Sequence, residues 1–179
     1  MKRILAVLLI LCLPLSACAE KDRAALTQGL DCAVYLDVNQ IDTVIRPMNQ
    51  PFFGTVDAEG EMVAFIDYVE IPDQSATFMR LTLSLVTNEP LDAQELTIAF
   101  GKQSYTFDVF PQTSEYDTVY YEDYFVLFND DTLPMLKALG KNKAEITYTL
   151  AGDGATRSGT LDIPAEAVKD LYDRFMKAD

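Results

Sequence analysis

Histidine is absent from this chain, and so is tryptophan. Without imidazole there is no Ser-His-Asp or Cys-His nucleophilic pair, no usual zinc site and little scope for general-base chemistry near neutral pH. Basic residues are scarce: 14 Lys and Arg face 28 Asp and Glu, a formal charge of −14. A nucleic-acid binder needs a basic surface to neutralise phosphates, so that class is excluded. The same acidity argues against a domain lying flat on an anionic membrane. Long apolar runs are also missing beyond the first residues, and a membrane-spanning helix needs about 20 of them. Cysteine is limited to Cys12, Cys18 and Cys32.

What the chain does have begins at its N-terminus. Lys2 and Arg3 precede an apolar core from Ile4 to Leu13, Pro14 breaks it, and small residues follow at Ser16 and Ala17. This is the tripartite layout of an export signal, too short to anchor by spanning. Leu15-Ser16-Ala17-Cys18 resembles the lipobox of bacterial lipoproteins. The resemblance implies cleavage before Cys18 and a lipid such as palmitate on that cysteine. Two acyl chains on one residue satisfy the two-signal requirement for stable attachment. The alternative is a small-x-small site, Ala17-Cys18-Ala19, cut after Ala19.

Removal of residues 1–17 leaves 162 residues and takes the formal charge to −16, because that segment carries two basic and no acidic side chains. This is enough chain for one domain with its own core. The expected layout is a signal peptide at 1–17, a lipidated N-terminus and polar tether at 18–29, and one β-rich domain at 30–179. The tether, from about Ala19 to Gln28, holds the domain off the surface. With Cys18 lipidated only Cys32 remains, a small buried apolar residue with no disulfide partner; a free Cys18 would allow a Cys18–Cys32 bridge.

Strand-like segments rich in β-branched and aromatic residues run over 62–70, 77–87, 95–100, 104–110, 118–128, 144–150 and 160–163, with weaker candidates at 33–38 and 52–56. Met79, Leu81, Leu83 and Leu85 point one way while Arg80, Thr82 and Ser84 point the other, and 95–100 and 144–150 alternate likewise. Such alternation belongs to antiparallel sheets with one packed face. Gly101-Lys102, Gly152-Asp153-Gly154 (in a loop ending near Gly159) and Asp57-Ala58-Glu59-Gly60 read as turns. No helices follow the strands as parallel crossovers require. The chain should be mainly β (α+β), an antiparallel β-sandwich or open barrel.

Two helices are expected. A short one near 131–139 is capped by Asp130 or Asp131, has Pro134 in its first turn, and ends at Gly140. A C-terminal one near 164–177 buries Val168, Leu171, Tyr172, Phe175 and Met176. From Tyr121 onward the layout is similar to a module of uncharacterised exported lipoproteins of anaerobic bacteria. There an acidic-aromatic strand, here Tyr121-Glu122-Asp123-Tyr124, leads into a short helix, here with Leu136 and Leu139. A strand ending in Gly-Asp follows, here Ala144 to Asp153, then a short strand and closing helix, here Thr160 to Met176. This chain departs from that pattern at Thr147-Tyr148, where an arginine is common. The resemblance brings no catalytic residues.

Paired carboxylates are the one catalytic arrangement that survives the loss of histidine. Glu115 with Asp117, and Glu122 with Asp123, are the candidates, although strand neighbours such as Glu122 and Asp123 face opposite sides. Oxygen ligands for calcium cluster weakly at Asp57 and Glu59, and at Asp130 and Asp131. Neither group fits the EF-hand loop, since counting from Asp57 puts Met62 at the glycine position and Tyr68 at the glutamate position. No cofactor is called for. The densest aromatic stretch holds Tyr116, Tyr120, Tyr121 and Tyr124, with Phe125 and Phe128. It reads either as a strand with aromatics on both faces or as a contact surface bordered by acidic residues. The expectation is a membrane-anchored, non-catalytic binding or accessory module of the cell envelope, exported from the cytoplasm, with a protein or glycan partner. The rival is an acidic-residue-dependent envelope hydrolase.

Overall fold

The computed structural model describes residues 20–37, 39–48, 52–56 and 60–178. The expected signal peptide, Cys18, Asp57 and Glu59 lie outside the described residues. Among the described residues the strands are β1 (Cys32–Leu36), β2 (Thr43–Pro47), β3 (Phe52–Gly54), β4 (Glu61–Ile71), β5 (Ala76–Thr87), β6 (Ala93–Phe100), β7 (Gln103–Asp108), β8 (Gln112–Tyr116), β9 (Val119–Phe128), β10 (Ile146–Gly152) and β11 (Ala155–Asp162). The helices are α1 (Arg23–Thr27), α2 (Leu133–Leu139) and α3 (Ala165–Lys177). No helix among the described residues is long and apolar enough to cross a membrane.

All strands join one antiparallel sheet, in the order β7-β6-β10-β11-β3-β4-β5-β9-β8, with β2 on β4 and β1 on β2. The sheet curls into a half-barrel, so the open-barrel expectation holds and the sandwich does not. One edge of β4 is shared: Met62 to Ala64 pair with β3, and Tyr68 to Glu70 pair with β2. The terminal strands β7 and β8 are consecutive in sequence and joined only by residues 109–111. Four virtual bonds reach at most about 14 Å, so the two ends of the sheet meet at one corner of the curl.

The alternation in β4 and β5 sorts the sheet into two faces. Met62, Ala64, Ile66 and Tyr68 on β4, with Met79, Leu81, Leu83 and Leu85 on β5, are buried on the inner face. Leu133, Leu136 and Leu139 of α2 and Val168, Leu171 and Phe175 of α3 join the same core. Tyr68 stacks on Phe175 and donates a hydrogen bond to the Leu171 carbonyl, 3.0 Å away. At Gly159 a Cβ would stand 1.8 Å from the Thr55 carbonyl oxygen, so only glycine lets the chain after β3 approach β11. Tyr148 donates to that same oxygen at 2.7 Å.

Several expectations need correction. The stretch expected as a polar tether is folded from Lys21 onward: Asp22 caps α1 by accepting from the Ala24 amide, and Leu26 is fully buried. A single apolar side chain with a capping aspartate suffices because α3 supplies the packing surface. The strands β2 and β8 lie where no strand was expected. β8 is polar and at the sheet edge, so ladder hydrogen bonds rather than side-chain pattern hold it. The turn at Asp153-Gly154 is tight and β11 starts at Ala155, five residues before the expected strand. Asn129, not Asp130 or Asp131, organises the start of α2, its Oδ1 accepting from the Asp131 and Thr132 amides. Tyr172 is half-buried and Met176 exposed, which narrows the apolar stripe of α3.

Candidate functional site

Strand β9 carries most of the residues singled out for contact, and its pleat divides them. Tyr121, Asp123 and Phe125 face outward, whereas Glu122 and Tyr124 face the core. Tyr124 is fully buried and accepts the Ala93 amide through its hydroxyl at 3.2 Å. Burial pushes its phenol pKa well above the ordinary value. It is a core residue and not part of the contact surface expected for it. Tyr120 pairs with Glu115 across the β8–β9 hairpin on the inner side. Tyr116 and Tyr121 share the outer side as diagonal neighbours, since Tyr116 faces Val119 and Ser114 faces Tyr121.

The acidic pairs fare differently. Glu122 is fully buried, and its two carboxylate oxygens accept the amides of Leu91 and Asp92, each at 2.8 Å. It clamps the connection between β5 and β6. Asp123 lies on the opposite face and accepts from the Ser84 hydroxyl at 2.5 Å. Glu115 and Asp117 are exposed at the hairpin end, Asp117 with a positive φ of 60°. Asp130 and Asp131 are exposed in the turn before α2. Among the described residues no group of three or more His, Cys, Asp or Glu is placed to hold a metal. Cys32 is half-buried against the core, and burial raises its thiol pKa.

The outer face of the sheet holds a cluster that the sequence reading missed. Pairing registers lay it out in rows. Phe53, Val63, Ser84, Asp123 and Gln112 form one; Phe65, Thr82 and Phe125 form the next; Asp67, Arg80 and Leu127 form a third. Arg46 of β2 reaches Asp67 through two parallel bonds, Nε to Oδ1 and Nη2 to Oδ2, both 2.8 Å. The Asp67 Oδ2 also accepts from Arg80 at 3.3 Å and from the Thr82 hydroxyl at 2.8 Å. Arg80 in turn donates to Asp37 at 2.6 Å.

Aromatic rings frame these charges. The Arg46 guanidinium lies 3.9 Å from the Phe65 ring centroid and 5.7 Å from that of Tyr35, and Arg80 lies 4.4 Å from Phe125. Stacking of this kind suits arginine, whose planar, weakly hydrated head tolerates burial. Burial opposes the charge on Arg46, yet the bonds and charge of Asp67 outweigh it, so the guanidinium pKa is raised. For Tyr35, burial and then the Asp67 charge raise the phenol. The network is therefore a fixed, charge-paired plate.

Around the plate the outer face is open. Tyr116 is 76% exposed, Phe53 64%, Leu127 45% and Tyr121 43%, all on this side of the sheet. One signal of the cluster was present in the sequence: Asp67 interrupts the otherwise apolar run of β4, and a charge there requires a buried partner. A separate cavity of about 520 Å³ lies at one end of the barrel, between Glu20, Lys21, Arg23, Glu70, Pro72 and Thr77. No family model matches the chain, and no curated protein or solved structure does so either.

Proposed function

We propose that this is a lipid-anchored, extracytoplasmic binding module that engages a protein partner of the cell envelope through the outer face of β3-β4-β5-β9-β8. The observation that carries the reading is the exposure of Phe53, Tyr116, Tyr121 and Leu127 on one sheet face, whose strands are tied together by the largely buried network of Arg46, Asp67 and Arg80. Exposed aromatic side chains gathered on one face are what protein interfaces concentrate. The strands that carry them are cross-tied by the Asp67 network before any partner arrives, which lowers the ordering cost of association. The anchor rests on Leu15-Ser16-Ala17-Cys18 and its resemblance to the lipobox.

Of the two carboxylate pairs of the acidic hydrolase alternative, Glu122 with Asp123 loses support from the placement of its residues. Both oxygens of Glu122 are occupied by backbone amides, and Asp123 lies on the other side of the sheet. The test is crosslinking of intact cells followed by isolation of the protein and mass spectrometry. A retained protein partner that is lost from Tyr116→Ala and Tyr121→Ala, with folding unchanged, is the expected outcome. Retention of glycan alone, or a partner insensitive to both changes, contradicts the reading.

A further inference from the structure

The placement of the first described residues leads to a second conclusion, which rests on the lipid-anchor reading. We infer that the folded body starts only three residues after Cys18, so that the lipid pins one pole of the half-barrel against the bilayer and turns the Tyr116–Tyr121 end away from it.

Contacts to the body of the fold begin at Lys21. The Lys21 amide donates to the Thr77 hydroxyl at 3.1 Å, and the Asp22 amide donates to the Ala178 carbonyl at 3.0 Å. The Lys21 ammonium lies 5.3 Å from the Phe175 ring centroid, and the Arg23 guanidinium pairs with the Glu70 carboxylate. Leu26 is sealed in the core, and Arg174 donates to the Gln28 carbonyl at 2.7 Å. These contacts reach β4, β5 and α3, so residues 21–28 are tied to the body of the fold. Three residue steps span at most about 11 Å, so chain connectivity alone keeps a lipid on Cys18 within that reach of the Lys21 Cα.

The pole so defined contains Glu70, Ile71 and the turn Pro72–Gln74, where β4 passes into β5. From Ile71 back to Glu61, β4 makes ten rises of about 3.3 Å, some 33 Å in all. Glu61 pairs with Val86, and Val86 pairs with Tyr121. The tyrosines of the proposed contact face therefore sit at the end of the strands opposite the anchor. A short mount holds the domain close to the membrane while presenting its contact face outward, in contrast to a body swinging on a polar tether.

The chain has no tryptophan, so one introduced residue is a clean reporter. Gln74→Trp, in the exposed turn at the pole, and Thr118→Trp, exposed in the β8–β9 turn, are compared in the lipidated protein on vesicles containing a dansyl-headgroup lipid. Severalfold stronger energy transfer from Gln74→Trp than from Thr118→Trp is expected, with matching circular dichroism spectra. Insertion of a Gly-Ser linker between Ala19 and Glu20 should bring the two values together. Equal transfer without the linker overturns the inference, as does a difference that survives it. A mature N-terminus without acyl chains contradicts the lipid anchor instead. In that event the same variants, produced from Cys18 onward without residues 1–17 and coupled through Cys18 to a maleimide phospholipid in a Cys32→Ala background, give the readout on the mount.

Discussion

Asp37 and Arg80 form an ion pair of 2.6 Å although β1 and β5 are three strands apart along β1-β2-β4-β5. Neighbouring strands lie about 4.8 Å apart, so a flat sheet would hold their backbones roughly 14 Å from each other. The β1–β2 hairpin must fold over the outer face to close that gap. Val44 and Val69 agree, because they point to the outer face by strand parity and are nevertheless buried. The hairpin and the charged plate beneath it are one unit.

Asp67 is the centre of that unit, and its loss leaves two arginines without their shared acceptor. Asp67→Ala should destabilise the protein by about 3–5 kcal/mol, the range for breaking a buried pair by removing one partner. Urea unfolding checks this. A loss below about 1 kcal/mol, the size of an exposed pair, would show that the plate contributes little to stability.

Glu122→Gln keeps one acceptor oxygen and removes the other. The expected cost is about 1–3 kcal/mol, with faster hydrogen exchange at the Leu91 and Asp92 amides. Unchanged protection at both amides would show that the clamp does not depend on the carboxylate.

Leu26→Ala empties a fully buried site under α1. The expected loss is about 2–5 kcal/mol, and proteolysis should then cut within 21–28 before the rest of the domain. A free tether would give no change in stability and ready cleavage in the unmodified chain.

Alkali should unfold the protein by a route that depends on buried phenols. Burial raises the pKa of Tyr68 and Tyr124 above the ordinary 10.0. Above pH 10 the unfolded chain gives up these protons first, so their contribution to stability is complete below that pH and falls as pH climbs through the folded values. Tyr124→Phe should weaken the pH dependence of unfolding above 10 while removing the hydrogen bond to Ala93, which costs about 1 kcal/mol. An unaltered alkaline profile would contradict this origin.

Long, regular strands were legible in the sequence because β4, β5, β6 and β9 alternate over many residues against a continuous core. Short or edge elements were not. Thr43 to Pro47 and Gln112 to Tyr116 are held by ladder bonds to strong neighbours, and α1 by α3, so tertiary structure rather than local pattern decides them. The candidate surface was half legible. Tyr116 and Tyr121 stood out by density, while parity removes Tyr124 and sets Tyr120 on the other side. Arg46, Asp67 and Arg80 come from three strands, and only pairing register brings them together.

The most direct measurement is a photocrosslinking scan in intact cells, with a light-activated residue placed in turn at Tyr116, Tyr121, Leu127 and, on the far side of the fold, Lys141. The contact face predicts one adduct of common mass from the first three positions and none from Lys141. An adduct from Lys141 alone, or none from the outer-face positions while the partner still co-isolates with the protein, would contradict it.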